Sequence, residues 1–67
     1  MADRLGNRLK ERRTELGLTQ AELAERCGLT RKTVNTVENG VFVPSTVLAL
    51  KLARALSEPV ETLFWLD

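Results

Sequence analysis

Apolar residues recur along this chain at the spacing of helix faces. Leu5, Leu9, Arg12/Arg13 and Leu16 fall near i, i+4, i+7/i+8 and i+11, which predicts a first helix with one inward stripe. Gly17 stands where that helix is expected to end. Thr19-Gln20-Ala21-Glu22 has the form of a capping box, in which the Thr19 hydroxyl accepts from the Glu22 amide while the Glu22 carboxylate reaches back. A two-turn helix then turns Leu23, Ala24 and Cys27 inward and stops at Gly28. Thr30 caps a third helix with Val34 and Val37 inward, and Gly40 closes it. Val41 to Pro44 reads as a loop, because proline and the residue before it disfavour helix. Ser45 caps a fourth helix carrying Leu48, Leu52, Ala53 and Leu56. Pro59 suits the first turn of a short fifth helix with Val60, Leu63 and Phe64. No segment alternates long enough to predict a strand. The expected fold is all-α, five short helices in a single domain spanning 1–67.

Size and composition exclude much. A chain of 67 residues builds one core but no deep substrate cleft. With no His, no Tyr and one Cys, it lacks the parts for common zinc sites, Cys–His couples and serine triads. Glu22 and Glu25 sit at ordinary helical surface spacing. No enzyme, metal or cofactor is expected. Cys27 has no partner for an internal disulfide and is read as packing. The first 15 residues hold five basic side chains and no apolar run, and the uncharged stretch before Lys51 is far too short for a membrane span. A cytoplasmic, soluble location is expected, with no membrane partner.

The net charge of +1 announces no partner, but its distribution is uneven. Residues 1–32 carry eight basic and five acidic side chains, whereas 33–67 carry two and four. One basic and one near-neutral face would result.

The informative unit is the helix pair from Thr19 to Gly40. Gly28 admits the left-handed backbone that sends the second helix off at a steep angle, small Ala24 lets the helices approach, and Val34 and Val37 fill the space between them. The outward face of the second helix holds Thr30, Arg31, Lys32, Thr33, Asn35 and Thr36. A merely solvated face would favour Glu, Lys and Ala, which form helix better. Arg and Lys can read guanine edges, Asn adenine, and Thr a thymine methyl or a phosphate.

The stretch TQAELAERCGLTRKTVNTVENG closely resembles the lambda-repressor/Cro-type (Xre family) helix-turn-helix proteins, and the likeness extends from about Arg8 to Phe64. It rests on Gly17, Gln20, Leu23, Ala24, Gly28, Val34, Glu38, Asn39, Gly40 and Pro44. The resemblance implies a five-helix DNA-binding domain whose motif spans 19–40. It implies that Thr19 and Gln20, at the start of the first motif helix, meet a phosphate, while Thr30, Arg31, Lys32, Thr33, Asn35 and Thr36 face base edges and flanking phosphates. Asn39 would cap the recognition helix and touch the DNA backbone. Arg13 and Glu38 would form a structural ion pair. The implied function is a transcriptional regulator, with repression the expected mode, binding a palindromic operator in double-stranded DNA as a homodimer.

This chain departs from the family after Gly40, where relatives often place basic residues and Val41-Phe42-Val43 carries none. Either Arg8, Arg12 and Arg31 substitute for them, or the grip on DNA is weak. Val47 is expected to face outward. Val41, Phe42, Val43, Val47 and the terminal Phe64-Trp65-Leu66 together exceed the apolar surface a small monomer should expose. Leu63 and Phe64 are expected to fold back on the first and fourth helices, and residues 57–67, with Phe64, Trp65 and Leu66, to form the dimer contact. A second reading keeps the scaffold as a protein-interaction module, or an antitoxin-like partner, docking through Val41-Phe42-Val43. Loss of DNA binding on truncating Arg31 and Lys32 would separate the two.

Overall fold

The computed structural model describes residues 3–67. Its elements in chain order are β1 (Leu5–Asn7), α1 (Leu9–Glu15), α2 (Gln20–Cys27), α3 (Arg31–Glu38), α4 (Thr46–Leu56), α5 (Val60–Leu63) and β2 (Phe64–Leu66). Three helices start on a side-chain oxygen that accepts an amide two or three residues into the first turn. Thr19 Oγ1 accepts from Glu22 at 3.0 Å, and Glu22 Oε1 accepts from the Thr19 amide at 2.8 Å. Thr30 Oγ1 accepts from Thr33 at 3.2 Å and Ser45 Oγ from Leu48 at 3.1 Å. A hydroxyl cap of this kind contributes about 1 kcal/mol, so these local sequences fix where each helix begins.

The inward stripes meet in one cluster. Leu9, Leu23, Leu52, Leu56 and Leu63 are wholly removed from water, with Val34, Val37, Ala24 and Cys27 beside them. Leu18 joins this core although it lies between α1 and α2. Leu16, expected to point inward, is exposed, because α1 ends at Glu15 and helical spacing no longer governs it. Val47 faces solvent, as its sequence context suggested.

The five expected helices are accompanied by a ribbon that periodicity did not predict. Leu5 begins no helix; it pairs with Leu66 in an antiparallel strand, followed by Gly6 with Trp65 and Asn7 with Phe64. Two flanking bonds extend the ladder, from the Arg8 amide to Leu63 O at 3.0 Å and from the Asp67 amide to Arg4 O at 2.8 Å. The chain ends are thereby joined over the core. Gly6 is required by its neighbour: a Cβ there would collide with the Trp65 indole ring. Gly6→Ala is therefore expected to displace the indole and destabilise the fold by about 1–3 kcal/mol, the usual cost of overpacking. Denaturant titration followed by Trp65 fluorescence would show both effects.

The ribbon also sets where the residues expected at the dimer contact lie. Side chains alternate across a strand, so Phe64 and Leu66 lie on one face with Leu5, and Trp65 lies on the other with Gly6. Phe64 is buried in its own core, as its place on the fifth-helix stripe suggested. Trp65 is half-exposed over Gly6, its Nε1 donating to Asp67 Oδ1 at 3.0 Å, while Leu66 is exposed. The three residues do not form one surface.

Candidate nucleic-acid interface

Between α2 and α3 the chain turns on a single left-handed residue. Gly28 has φ 67° and ψ 33°, a conformation that a Cβ would strain, and the Leu29 amide folds back on Ala24 O at 2.8 Å. Extended Thr30 then restarts helix, so α3 crosses α2 on the packed side chains of Ala24, Val34 and Val37.

Burial of Val34 and Val37 decides which residues of α3 face outward. Thr30, Arg31, Lys32 and Asn35 are exposed, and Thr33 and Thr36 are half-buried at the edges of that face. Thr30 and Thr33 share a hydroxyl hydrogen bond of 3.0 Å, and Thr36 Oγ1 donates to Thr33 O at 2.9 Å. Asn39 is exposed at the C-terminal cap and donates from Nδ2 to Asn35 O at 2.9 Å. The start of α2 adjoins this face: Thr19, Gln20 and Arg31 line one shallow depression.

Gln20 is not free. Its Nε2 donates to Glu38 Oε1 at 3.1 Å, leaving its carbonyl oxygen and second amide hydrogen for other partners. The same Glu38 carboxylate accepts from Arg13 Nε at 2.7 Å and Arg13 Nη2 at 3.2 Å, and Arg13 Nη1 donates to Leu18 O at 2.9 Å. With side chains 10% and 2% exposed, Arg13 and Glu38 form a nearly dry, fully satisfied pair that binds α1, the start of α2 and the end of α3 together. Asn7, which sequence reading passed over, adds a second tie. Its Oδ1 accepts from the Leu9 amide at 3.1 Å, and its Nδ2 donates to Val37 O at 3.1 Å. Its place two residues before the first buried leucine of α1 is the local signal for such a cap.

The electrostatics separate two groups of cations. Arg8 lies within 3.0–3.4 Å of Glu11, Glu15 and Glu58, and the Glu11 hydrogen bond holds its guanidinium firmly charged. Arg12 contacts Glu15 and Glu58 at 3.4 Å and donates to Leu56 O at 2.9 Å. These two, expected as substitute phosphate contacts, are committed within the fold. Among the described residues, Arg31 and Lys32 have no carboxylate partner. At the other end of α2, burial raises the Cys27 thiol above its ordinary value against an opposing effect of Lys51, which keeps it a protonated packing group. The backbone amide and hydroxyl of Thr19 hold the Glu22 carboxyl below its usual range, so the capping box is intact at neutral pH and weakens only as acid protonates that carboxyl.

Two short helices crossing at a glycine turn, with the second presenting exposed Arg, Lys and Asn, define a helix-turn-helix DNA-binding domain. The chain belongs to the helix-turn-helix family, whose pattern matches residues 9–63. It is 46% identical over 61 residues to the uncharacterized HTH-type transcriptional regulator YgzD of Bacillus subtilis, covering 91% of this chain and 92% of that protein. It is 53% identical over 60 residues to an uncharacterized HTH-type transcriptional regulator of Methanothermobacter thermautotrophicus, covering 88% and 87%. Its fold matches the restriction-modification controller protein C.AhdI of Aeromonas hydrophila with a TM-score of 0.77 and 44% identity, over 81% of this chain and 82% of that one. Together these make it a DNA-binding transcriptional regulator. Among the described residues, no helix is long and apolar enough to cross a membrane.

Proposed function

We propose that the chain is a cytoplasmic, sequence-specific regulator that binds a palindromic operator as a homodimer and represses by occupying a promoter. α3 enters the major groove, where Arg31, Lys32, Asn35 and the threonine hydroxyls meet base edges and flanking phosphates. Gln20 and Thr19, at the amino end of α2, hold an adjacent phosphate. Asn39 reaches the backbone from the far end of α3. The reading requires no cofactor or metal and assigns no enzymatic step.

One observation carries it. Arg31 and Lys32 occupy the first turn of α3, which has no acidic residue, and a helix amino end repels cations. Unpaired positive charge in that position costs stability, and a polyanion lying across the face offsets the cost. Selection from a randomised duplex pool at two salt concentrations tests the proposal. Enrichment of one inverted repeat is the expected result. Weak binding that is blind to sequence and lost at physiological salt would overturn it.

A further inference from the structure

We infer that the depression between the carboxyl ends of α2 and α4 binds a small anion carrying two or three linked phosphoryl groups. It has a volume of about 570 Å³ and is walled by Arg26, Cys27, Lys51, Arg54, Ala55 and Ser57. No residue of α3 takes part. Arg26 stands six residues beyond Gln20, about 9 Å along α2 from the end assigned to DNA. From its buried position the Cys27 thiol donates to Lys51 O at 3.7 Å, so the two helices that carry the cations are tied together at this point.

Arg26, Lys51 and Arg54 are all exposed, and no acidic residue joins them in the wall. Among the described residues none of the three forms an ion pair. The carboxylates that could have served them are engaged elsewhere. Glu22 feels the Arg26 charge but caps Thr19, and Glu58, next to Ser57, pairs with Arg8 and Arg12. Adjacent residues on a helix do not face each other, which sets Glu25 apart from Arg26. Arg26 and Arg54 suit the last turns of their helices, where carbonyl ends attract cations, but Lys51 is mid-helix. It repels Arg54 one turn on, a cost that an anion between them would offset.

Ser57 supplies a second, independent sign. Among the described residues it is the one residue other than glycine with a positive φ, 54°. Gly17, Gly28 and Gly40 hold the other left-handed turns, where no Cβ is strained. Serine at this cap carries a backbone cost, and its hydroxyl, in the wall of the depression, would offset that cost by donating to an anion. The arrangement also selects a compact ligand, because the cations come from two helices around a concavity instead of forming a row. An acidic peptide spreads its charges at about 3.3 Å per extended residue. Linked phosphoryl groups concentrate theirs, and planar guanidinium groups grip their oxygens in pairs.

Titration calorimetry of the full chain with inorganic pyrophosphate and inorganic triphosphate, beside citrate and a hexaglutamate peptide, tests the site. Saturable binding of one pyrophosphate or triphosphate per chain is the expected result. Arg26→Ala and Arg54→Ala should each weaken it about 10-fold, the loss of one charge-assisted contact to a phosphoryl oxygen. Ser57→Gly should weaken it several-fold while raising the melting temperature. All three positions are exposed, so the variants should fold. Arg31→Ala with Lys32→Ala should bind triphosphate like the unmodified chain. Absence of saturable binding would overturn the proposal. So would binding that is lost with Arg31 and Lys32 but kept without Arg26 and Arg54, which would put the anion on α3. Citrate or hexaglutamate bound as tightly as triphosphate would show that the depression reads negative charge alone, and would overturn the ligand class. Duplex binding weakened by Arg26→Ala with Arg54→Ala as strongly as by the α3 pair would make the depression part of the DNA surface, and would overturn a separate site.

Discussion

Replacing Arg31 and Lys32 together with alanine is expected to weaken operator binding by about 2–4 kcal/mol, roughly 30- to 1,000-fold, without loss of folding stability. The magnitude follows from one cation reading a base edge, about 1–3 kcal/mol, and one neutralising a phosphate. The sign of the stability change is the sharper part. Both side chains are exposed at the amino end of α3, where the helix dipole disfavours positive charge. Alanine also has the higher helix propensity. The double variant should therefore melt at or slightly above the temperature of the unmodified chain. The single variants then assign the roles. The one holding phosphate should weaken all duplexes alike and lower the salt slope by about 0.9. The one reading a base should relax preference at one position of each half-site. Unchanged affinity in the double variant would sink the recognition role of α3, and lost affinity accompanied by a lower melting temperature would show the residues to be structural.

Features of the site that depend on neighbours in sequence were legible before the fold was known. Thr19 with Glu22, Thr30, Gly28 and Ser45 announce themselves because a cap or turn is decided within four residues. The outward face of α3 follows from the spacing of Val34 and Val37. The ribbon was not legible for the opposite reason. Its strands are three residues each, too short to alternate visibly, and they pair the two ends of the chain. Leu5 misleads because its four-residue separation from Leu9 mimics helical spacing, while Gly6 matters only through the indole that covers it. Leu18 escapes detection because it enters the core from a loop, outside any periodic stripe. The absence of basic residues after Gly40 suggested that Arg8 and Arg12 would substitute for them. Their carboxylate partners include Glu58, distant in sequence, so their commitment was visible only in three dimensions. The same holds for Gln20, whose tether to Glu38 spans 18 residues.

That tether makes Glu38 the position where stability and DNA binding meet. Glu38→Ala is expected to destabilise the fold by about 3–5 kcal/mol, because it strands the nearly buried Arg13 guanidinium with only Leu18 O as partner. A 67-residue domain has roughly 3–10 kcal/mol in total, so a large fraction of this variant should be unfolded at physiological temperature. In a domain of this size the loss corresponds to a fall of about 12–40 °C in melting temperature. A second variant separates the two roles of Glu38. Replacing the pair together, Arg13→Met with Glu38→Leu, removes both charges and fills similar volume, a change that is often neutral or stabilising when the original pair is dry. Stability should then return most of the way. Gln20, however, remains without the carboxylate that fixes its amide, so its side chain regains rotamer freedom at the edge of the DNA-facing surface. Operator affinity should stay several-fold below that of the unmodified chain even at temperatures where the double variant is fully folded. Full recovery of both stability and affinity would show that Gln20 needs no positioning and that the pair serves packing alone. Failure of the double variant to regain stability would instead mean that the Arg13 hydrogen bond to Leu18 O, and not its charge pairing, holds α1 to the turn before α2.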